Sequence, residues 1–186
     1  MHGETKVRLL AGDITLVRAD AVVDAANSAL AGGGGVDGAI HAAAGPSVMA
    51  ELNERYRGCP TGSAVVTGAG DLPARWIIHA VGPIWRGGHD DEAALLASAY
   101  TASLDRAAEV GAGSVAFAAI SCGIYGYPLD QAAAVSVGAV RSWLGSHPDS
   151  GISDIMWVLR GEPVMAAFRD ALDAEDAEPP REGSPT

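Results

Sequence analysis

The sequence predicts a single α/β domain with a central sheet covered by helices on both faces. Its 186 residues, 48% of them hydrophobic, are enough to bury a sizeable core. Apolar segments of strand length alternate with segments of helical period over residues 1–172, without an internal repeat or a linker. Alternating strands and helices pack as a sheet between two helical layers. We therefore expect residues 1–172 to form one three-layer α/β/α domain.

Six segments have the composition of strands. They are short, often β-branched and bounded by Gly, Asp or Pro, as strands in such a sheet usually are. In chain order they are Lys6–Leu10, Ala21–Ala25, Ala64–Thr67, Trp76–Ala80, Ser114–Ala118 and Ile155–Leu159.

Four segments have the pattern of helices. The alanine-rich segment Val36–Ala44 is the first, and the last begins after Pro163, which suits the first turn of a helix. Apolar residues recur at helical spacing in the later three: Leu96, Tyr100, Leu104 and Ala107; Ala133, Val137, Val140 and Leu144; Val164, Phe168 and Leu172.

Acidic residues dominate the charge of the chain. Twelve Lys and Arg against 23 Asp and Glu give a net charge of −11, which repels a phosphate backbone, so we expect no nucleic-acid partner. Residues 173–186 carry −4 of this charge and three prolines, and we expect them to form a disordered acidic tail. No apolar run approaches the roughly 20 residues that cross a bilayer, so we expect a cytoplasmic protein without a membrane partner. Cys59 and Cys122 allow at most one disulfide, and no Cys/His cluster suggests a metal site.

Four consecutive glycines, Gly32 to Gly35, lie between a predicted strand and the helix Val36–Ala44. Glycine lets the backbone approach a ligand closely, and the first N–H groups of a helix have no partner within the helix. Together they favour an anion site built from backbone amides. Such a site suits a chain with no Lys or Arg between Arg18 and Arg55. A flexible loop without a ligand is the alternative interpretation.

A second glycine-bearing segment, Ser121-Cys-Gly-Ile-Tyr-Gly-Tyr-Pro128, also joins a predicted strand to a helix. Ligands of open α/β sheets gather at the carboxyl ends of the strands, so the two segments are expected to grip one diphosphate. The spacing Gly33-x-Gly35-x-x-Gly38 formally matches a dinucleotide fingerprint. The preceding strand ends several residues earlier, however, and no acidic residue closes a second strand about twenty residues on, which disfavours an NAD-dependent oxidoreductase.

Five motifs in order resemble those of the macrodomain family, in particular its MacroD-type branch with the bacterial O-acetyl-ADP-ribose deacetylases. They are Gly12-Asp-Ile-Thr15, Ala-Ala-Asn27, Gly-Gly-Gly-Gly-Val-Asp-Gly-Ala-Ile-His41, His-Ala-Val-Gly-Pro83 and Ile-Ser-Cys-Gly-Ile-Tyr-Gly-Tyr-Pro128. The resemblance covers about residues 7–172. It implies a macrodomain fold with a mixed sheet of about six strands and a site for ADP-ribose, with no other cofactor.

The resemblance also implies roles for the matching residues. Asp13 would accept a hydrogen bond from the adenine amino group, with Ile14 beside it. Asn27 would hold the distal ribose and take part in catalysis. The segments expected to wrap the diphosphate and that ribose are Gly33, Gly34, Gly35 and Val36, and Ser121, Cys122, Gly123, Ile124 and Tyr125.

Asp37 is the catalytic carboxylate that the resemblance implies, acting on water or on a ribose hydroxyl. Its position at the start of a helix favours the ionised form, because the helix dipole is positive there. His41, four residues on, lies on the same helix face and matches a supporting position of the catalytic site. A helix-capping role for Asp37 alone is the alternative.

Asp24 departs from the family pattern, which reads Asn-Ala-Ala-Asn where this chain reads Asp24-Ala-Ala-Asn27. An ionised Asp offers only acceptors, whereas an Asn also donates. The motif places Asp24 among the ligand-binding residues near Asp37 and the diphosphate. There it should weaken binding or become partly protonated.

The resemblance implies a hydrolase that removes mono-ADP-ribose from acidic side chains, or acetate from O-acetyl-ADP-ribose, since both reactions cleave an ester at the distal ribose. Its partners would be ADP-ribose and ADP-ribosylated proteins. A module that binds ADP-ribose without turnover is the alternative: Asp37 argues against it and Asp24 argues for it. We expect a monomer, although the sequence does not define the oligomeric state.

Overall fold

Six strands and five α-helices make up residues 4–177, which are the residues described by the computed structural model. A short 3₁₀ turn, Ile14–Leu16, follows the first strand. In chain order the elements are β1 (Lys6–Ala11), β2 (Ala19–Ala26), α1 (Gly35–Ala44), α2 (Pro46–Arg55), β3 (Ala64–Gly68), β4 (Ala74–Val81), α3 (Glu92–Glu109), β5 (Ser114–Phe117), α4 (Leu129–Ser146), β6 (Asp154–Leu159) and α5 (Glu162–Ala177).

The strands form one mixed sheet in the order β1-β6-β5-β2-β4-β3. Every neighbouring pair is parallel except β3 and β4, which pair antiparallel at one edge. The carboxyl ends of the five parallel strands therefore meet at one edge of the sheet. In open α/β sheets this edge is where ligands bind.

The two faces of the sheet carry separate halves of the core, because side chains alternate along each strand. Ala21 and Val23 of β2 face one half, which includes buried residues of α3, α4 and α5. Val22 and Ala26 face the other, which includes buried residues of α1 and α2. The three-layer α/β/α architecture is as predicted.

All six predicted strands are confirmed, with ends that differ by one or two residues. Helix α2 was not predicted. Its start, Gly45-Pro46, has the composition of a turn, yet proline at the first helical position is compatible with a helix, and Val48 and Leu52 bury its inner face.

The predicted boundary at residue 172 falls inside α5, which continues to Ala177. Its last turn packs on α4, where Asp176 accepts a hydrogen bond from Arg141 at 2.6 Å. Alanine and acidic residues support a helix as readily as a solvated tail, so composition alone did not place the boundary. The rest of the predicted tail, residues 178–186, lies outside the described residues.

Cys59 and Cys122 are both free thiols. Among residues 4–177, no helix combines the length and apolar character needed to cross a bilayer.

Candidate functional site

Two adjoining cavities open at the carboxyl edge of the sheet. The smaller, of about 180 Å³, is lined by residues that follow β2, by the start of α1 and by the segment between β5 and α4. The larger, of about 630 Å³, extends toward β1, β6 and α5. Gly35, Val36, Ala119 and Gly123 line both cavities. The two spaces therefore form one cleft, and the start of α1 lies at its junction.

The glycine segment reaches this junction as the sequence predicts. Gly34 is the N-cap residue of α1, and Gly35 has a φ of +59°, a left-handed conformation that glycine adopts without strain. The N–H groups of the first helical turn have no intrahelical acceptor, and the helix dipole adds positive potential there. This end of α1 suits a phosphate group.

Asn27 follows β2 and holds the glycine segment in place. Its side-chain amide donates to the carbonyl of Gly32 at 2.8 Å, and its side-chain oxygen accepts from the N–H of Ala31 at 3.2 Å. Asn27 also lines the smaller cavity. One side chain thus shapes the loop and contributes a polar group to the cleft.

The segment from Ser121 to Tyr125 forms the opposite wall. Ser121 has a φ of +65°, and its hydroxyl donates to the carbonyl of Pro83 at 2.7 Å. The carbonyl of Tyr125 accepts from the N–H of Trp85 at 2.9 Å. Residues 83–85 therefore brace this wall from behind. Of the predicted residues, Ser121, Gly123, Ile124 and Tyr125 line the smaller cavity, and Cys122 lines the larger.

Glu92, which the sequence analysis did not single out, holds the rest of the loop that joins β4 to α3. This loop, residues 82–91, is called the bracing loop below. Its buried carboxylate accepts from the N–H groups of Arg86, Gly88 and Asp90 at 2.9, 3.1 and 2.8 Å. Burial alone would raise the pKa of Glu92, but these backbone hydrogen bonds outweigh it and lower the pKa to about 2. The sequence could not show this role, because a Glu at the start of a helix indicates only helix capping.

Asp13 and Ile14 line the larger cavity. Asp13 Oδ1 accepts from the N–H and the hydroxyl of Thr15 at 2.9 and 2.7 Å, and Oδ2 accepts from Arg160 at 2.9 Å. These hydrogen bonds lower the pKa of Asp13, so it is an ionised acceptor. Arg160 was missed in the sequence, although its place directly after β6 puts it at the carboxyl edge.

Asp37 lies on the buried face of α1, together with Ile40 and Ala44, and lines the smaller cavity. Its Oδ1 atom is 3.3 Å from Nε2 of His41. Burial raises the pKa of Asp37, but hydrogen bonds from His41 and Asp24 more than offset this, and the pKa lies below its ordinary value. The smaller cavity is therefore lined by an ionised carboxylate.

His41 approaches Asp37 from behind and lines neither cavity. It was expected to support the catalytic site, and its position next to Asp37 lets it act on the cleft only through that carboxylate. The reason is helical geometry: residues four apart share one face, and on α1 that face points into the protein.

Asp24 was expected among the ligand-binding residues, but it is fully buried and lines neither cavity. Alternation along β2 puts it on the same face as Val22 and Ala26, beneath α1. Its Oδ2 atom is 3.3 Å from Nδ1 of His79, whose Nε2 is 2.9 Å from the Thr67 hydroxyl. Burial, the hydrogen bond to Asp37 and the charge of Asp37 raise the pKa of Asp24 well above its ordinary value.

Asp24, His41 and His79 each offer one possible metal-ligand atom, and these atoms lie within 4.8 Å of one another. The rings of His41 and His79 are stacked, with centroids 5.7 Å apart and planes 28° from parallel. Because ring lone pairs lie in the ring plane, stacked imidazoles do not direct them at a common point. The arrangement fits a metal ion poorly.

The cleft has a helix N-terminus at its centre, the ionised acceptor Asp13 at one end and the carboxylate of Asp37 at the other, on a three-layer α/β/α fold. The family model of the Macro domain matches residues 23–136, more than half of the chain. The chain belongs to the macrodomain family.

Relatives of known name support this assignment. An O-acetyl-ADP-ribose deacetylase of Cronobacter sakazakii is 45% identical over 177 residues, which are 94% of this chain and 97% of that protein. The solved macrodomain of Oceanobacillus iheyensis with ADP is 36% identical, covers 90% of each chain and superposes with a TM-score of 0.82. The Trypanosoma brucei macrodomain in complex with ADP-ribose is 34% identical, with 89% of this chain and 68% of that one covered and a TM-score of 0.82.

Proposed function

We propose that this protein binds ADP-ribose in the cleft and hydrolyses an ester at its distal ribose. The observation that carries the proposal is the position of Asp37, an ionised carboxylate at the end of the cleft, next to a helix N-terminus suited to a diphosphate. Related macrodomains hold ADP and ADP-ribose, and a relative at 45% identity is named O-acetyl-ADP-ribose deacetylase.

In the proposed complex, ADP-ribose extends along the cleft from the larger to the smaller cavity. The adenosine enters the larger cavity, where Asp13 accepts from the adenine amino group and Ile14 packs beside the base. The diphosphate lies at the junction, against the amides of Gly35 and Val36 and those of the segment at Gly123. The distal ribose then reaches the smaller cavity, beside Asn27 and Asp37.

The chemistry is hydrolysis of an acyl ester. Asp37 orients a water molecule and accepts a proton as the water oxygen attacks the acyl carbon. The bond between the acyl carbon and the ribose oxygen then breaks, and that oxygen takes up a proton to leave as a hydroxyl group. N–H groups at the start of α1 hold the diphosphate still, which keeps the ester within reach of Asp37.

The same step serves two substrates, O-acetyl-ADP-ribose and a protein whose Glu or Asp side chain carries mono-ADP-ribose, because both contain an ester at the distal ribose. ADP-ribosylated proteins are therefore the proposed macromolecular partners. The cytoplasmic location expected from the sequence remains a prediction.

The test is turnover of three substrates under one condition. We expect release of acetate from O-acetyl-ADP-ribose and of ADP-ribose from a protein modified on Glu. A protein modified on Arg is the matched control and should not react, since its linkage to ribose is not an ester. Tight binding of ADP-ribose without either release would identify the chain as a binding module and contradict the proposal.

A further inference from the structure

The carboxyl group of Asp24 lies in a closed set of polar side chains beneath the cleft. His79 of β4 faces it from the neighbouring strand, and Asp37 and His41 approach from α1. On α2, Glu51 is bound to Arg55 and to the N–H of Gly68. No N–H or O–H of the described residues points at Asp24 Oδ1. The carboxyl groups of Asp24 and Asp37 are nevertheless within hydrogen-bonding reach of each other.

The Thr67 hydroxyl proton can go to one of two acceptors, and each choice fixes which atoms of His79 and Asp24 carry protons. The Thr67 hydroxyl is 2.9 Å from the Gly68 carbonyl and 2.9 Å from Nε2 of His79, and it has one proton to donate. If that proton goes to Gly68, then Nε2 of His79 must carry hydrogen to bond Thr67. Burial keeps His79 neutral by lowering its pKa to about 3, so Nδ1 is then a bare acceptor. Its partner, Asp24 Oδ2, has to supply the proton.

The other tautomer leads to the same result. If Thr67 donates to Nε2, then Nδ1 carries hydrogen and donates to Asp24 Oδ2. The remaining contact of Asp24 is with the carboxyl group of Asp37, and two carboxyl groups form a hydrogen bond only through a proton. Asp37 is held ionised by His41, so the proton belongs to Asp24. Both arrangements leave Asp24 neutral, and the second also gives Asp37 a hydrogen bond from Asp24.

We propose that Asp24 is a neutral carboxylic acid at physiological pH and acts as a positioning residue that keeps Asp37 ionised, because it places no second negative charge beside that carboxylate. A neutral Asp offers a hydrogen-bond donor as well as an acceptor, as an Asn amide does. The departure from the family pattern is thus chemically small. The buried acid replaces the amide without adding a charge beneath the diphosphate.

This inference rests on the proposed function only for its catalytic consequence. When Asp24 loses its proton, Asp37 faces a second negative charge. Turnover should therefore fall tenfold per pH unit above the pH at which Asp24 ionises. Asp24→Asn cannot lose a proton in this range, so its profile should lack that alkaline limb.

Infrared spectroscopy of the ligand-free protein tests the protonation directly. We expect the stretching band of a protonated carboxyl group in the wild-type protein at neutral pH and its loss in Asp24→Asn. Asp13→Asn, which removes a carboxylate held ionised by Thr15 and Arg160, is the matched control and should keep the band. Absence of the band from the wild type, or its persistence in Asp24→Asn, would overturn the proposal.

The kinetic arm then uses the pH at which that band disappears on titration. Wild-type turnover should decline at this pH while that of Asp24→Asn does not, and coincident profiles would overturn the positioning role. A wild type that shows the band but hydrolyses neither ester would refute the proposed function and leave the neutral acid standing. Stoichiometric zinc bound through Asp24, with loss of the band, would show a metal centre instead and overturn the proposal.

Discussion

At the scale of single residues, the site separates groups that touch the ligand space from groups that act behind them. Asp37 and Asn27 line the smaller cavity, and Asp13 lines the larger. His41 and Asp24 reach the cleft only through Asp37. Substitutions at the first group should change contacts with ADP-ribose, whereas those at the second should change the state of Asp37.

Asp37→Ala should separate catalysis from binding. Loss of one acid–base group typically lowers turnover by about 10²- to 10⁴-fold. Affinity for ADP-ribose should stay the same or rise, because a negative charge near the diphosphate is removed. Steady-state kinetics with O-acetyl-ADP-ribose and calorimetry with ADP-ribose make the comparison. Full turnover by this variant would mean that another group performs the hydrolysis.

Asp13→Ala should weaken the adenine end of the site. An ionised acceptor is lost, so ADP-ribose affinity should fall by about 10-fold or more, while ribose 5-phosphate, which has no adenine, should bind unchanged. Asp13→Asn is the matched control, because its amide oxygen can still accept from Thr15 and preserve the 3₁₀ turn. Equal losses for both ligands would show that Asp13 acts through the turn alone.

At the scale of elements, the cleft depends on loops that follow parallel strands and on the contacts between them. Gly82 follows β4, and a Cβ atom there would run into the side chains of Ser121 and Ile120. The two loops thus approach each other more closely than any residue but glycine allows. The wall of the smaller cavity is part of this contact.

Gly82→Ala should therefore destabilise the ligand-free protein and lower its affinity for ADP-ribose. Overpacking of this kind typically costs about 1–3 kcal/mol. Gly123→Ala is the control for stability, since its Cβ would meet nothing within 4 Å in the protein. Thermal unfolding of both variants gives the comparison, and equal melting temperatures would contradict the close packing of the loops.

Glu92 makes the stability of the bracing loop depend on pH. Its folded pKa, about 2, lies below the ordinary value of 4.5, so its contribution is complete above about pH 4.5 and is lost as the pH falls toward 2. Glu92→Gln should be less stable than the wild type at neutral pH, and the difference should shrink in acid. Urea unfolding at several pH values measures this. A difference independent of pH would assign the effect to packing.

How much the sequence predicts differs between these elements. The glycine segments and the six strands are local patterns, so composition and periodicity are sufficient to find them. Asp24 is different, because its neighbour His79 is 55 residues away and becomes adjacent only when β2 pairs with β4. Motif similarity predicted Asp24 in the cleft together with Asn27. In the structure, the alternation of side chains along β2 instead puts Asp24 on the face that α1 covers. Arg160 and Glu92 act through loop conformations that periodicity does not describe.

At the scale of the whole molecule, two buried groups couple folding to pH with opposite signs. His79 has a folded pKa of about 3 against 6.5 unfolded, so from pH 6.5 downward the unfolded chain takes up a proton that the folded protein does not, and stability falls. Asp24 stays protonated in the folded protein above 3.8, where the unfolded chain ionises, so its effect lowers stability as the pH rises.

These effects should cancel in the wild type between about pH 4.5, above which Glu92 no longer contributes a pH dependence, and pH 6.5, but not in Asp24→Asn. There the His79 effect remains alone, so stability should rise by about 1.4 kcal/mol for each pH unit through this range. Above it, Asp24→Asn should stay level while the wild type loses stability until Asp24 ionises. Urea unfolding curves for both proteins provide the data, and parallel pH dependences would contradict a neutral Asp24.

The central claim, that water attacks an acyl ester held at the distal end of the cleft, is tested most directly with heavy-oxygen water. O-acetyl-ADP-ribose is incubated with the wild-type protein in this water, and the products are separated by mass spectrometry. Attack at the acyl carbon places the label in acetate and leaves ADP-ribose unlabelled, which is the predicted result. Label in ADP-ribose, or no acetate above that of the Asp37→Ala control, would contradict the account.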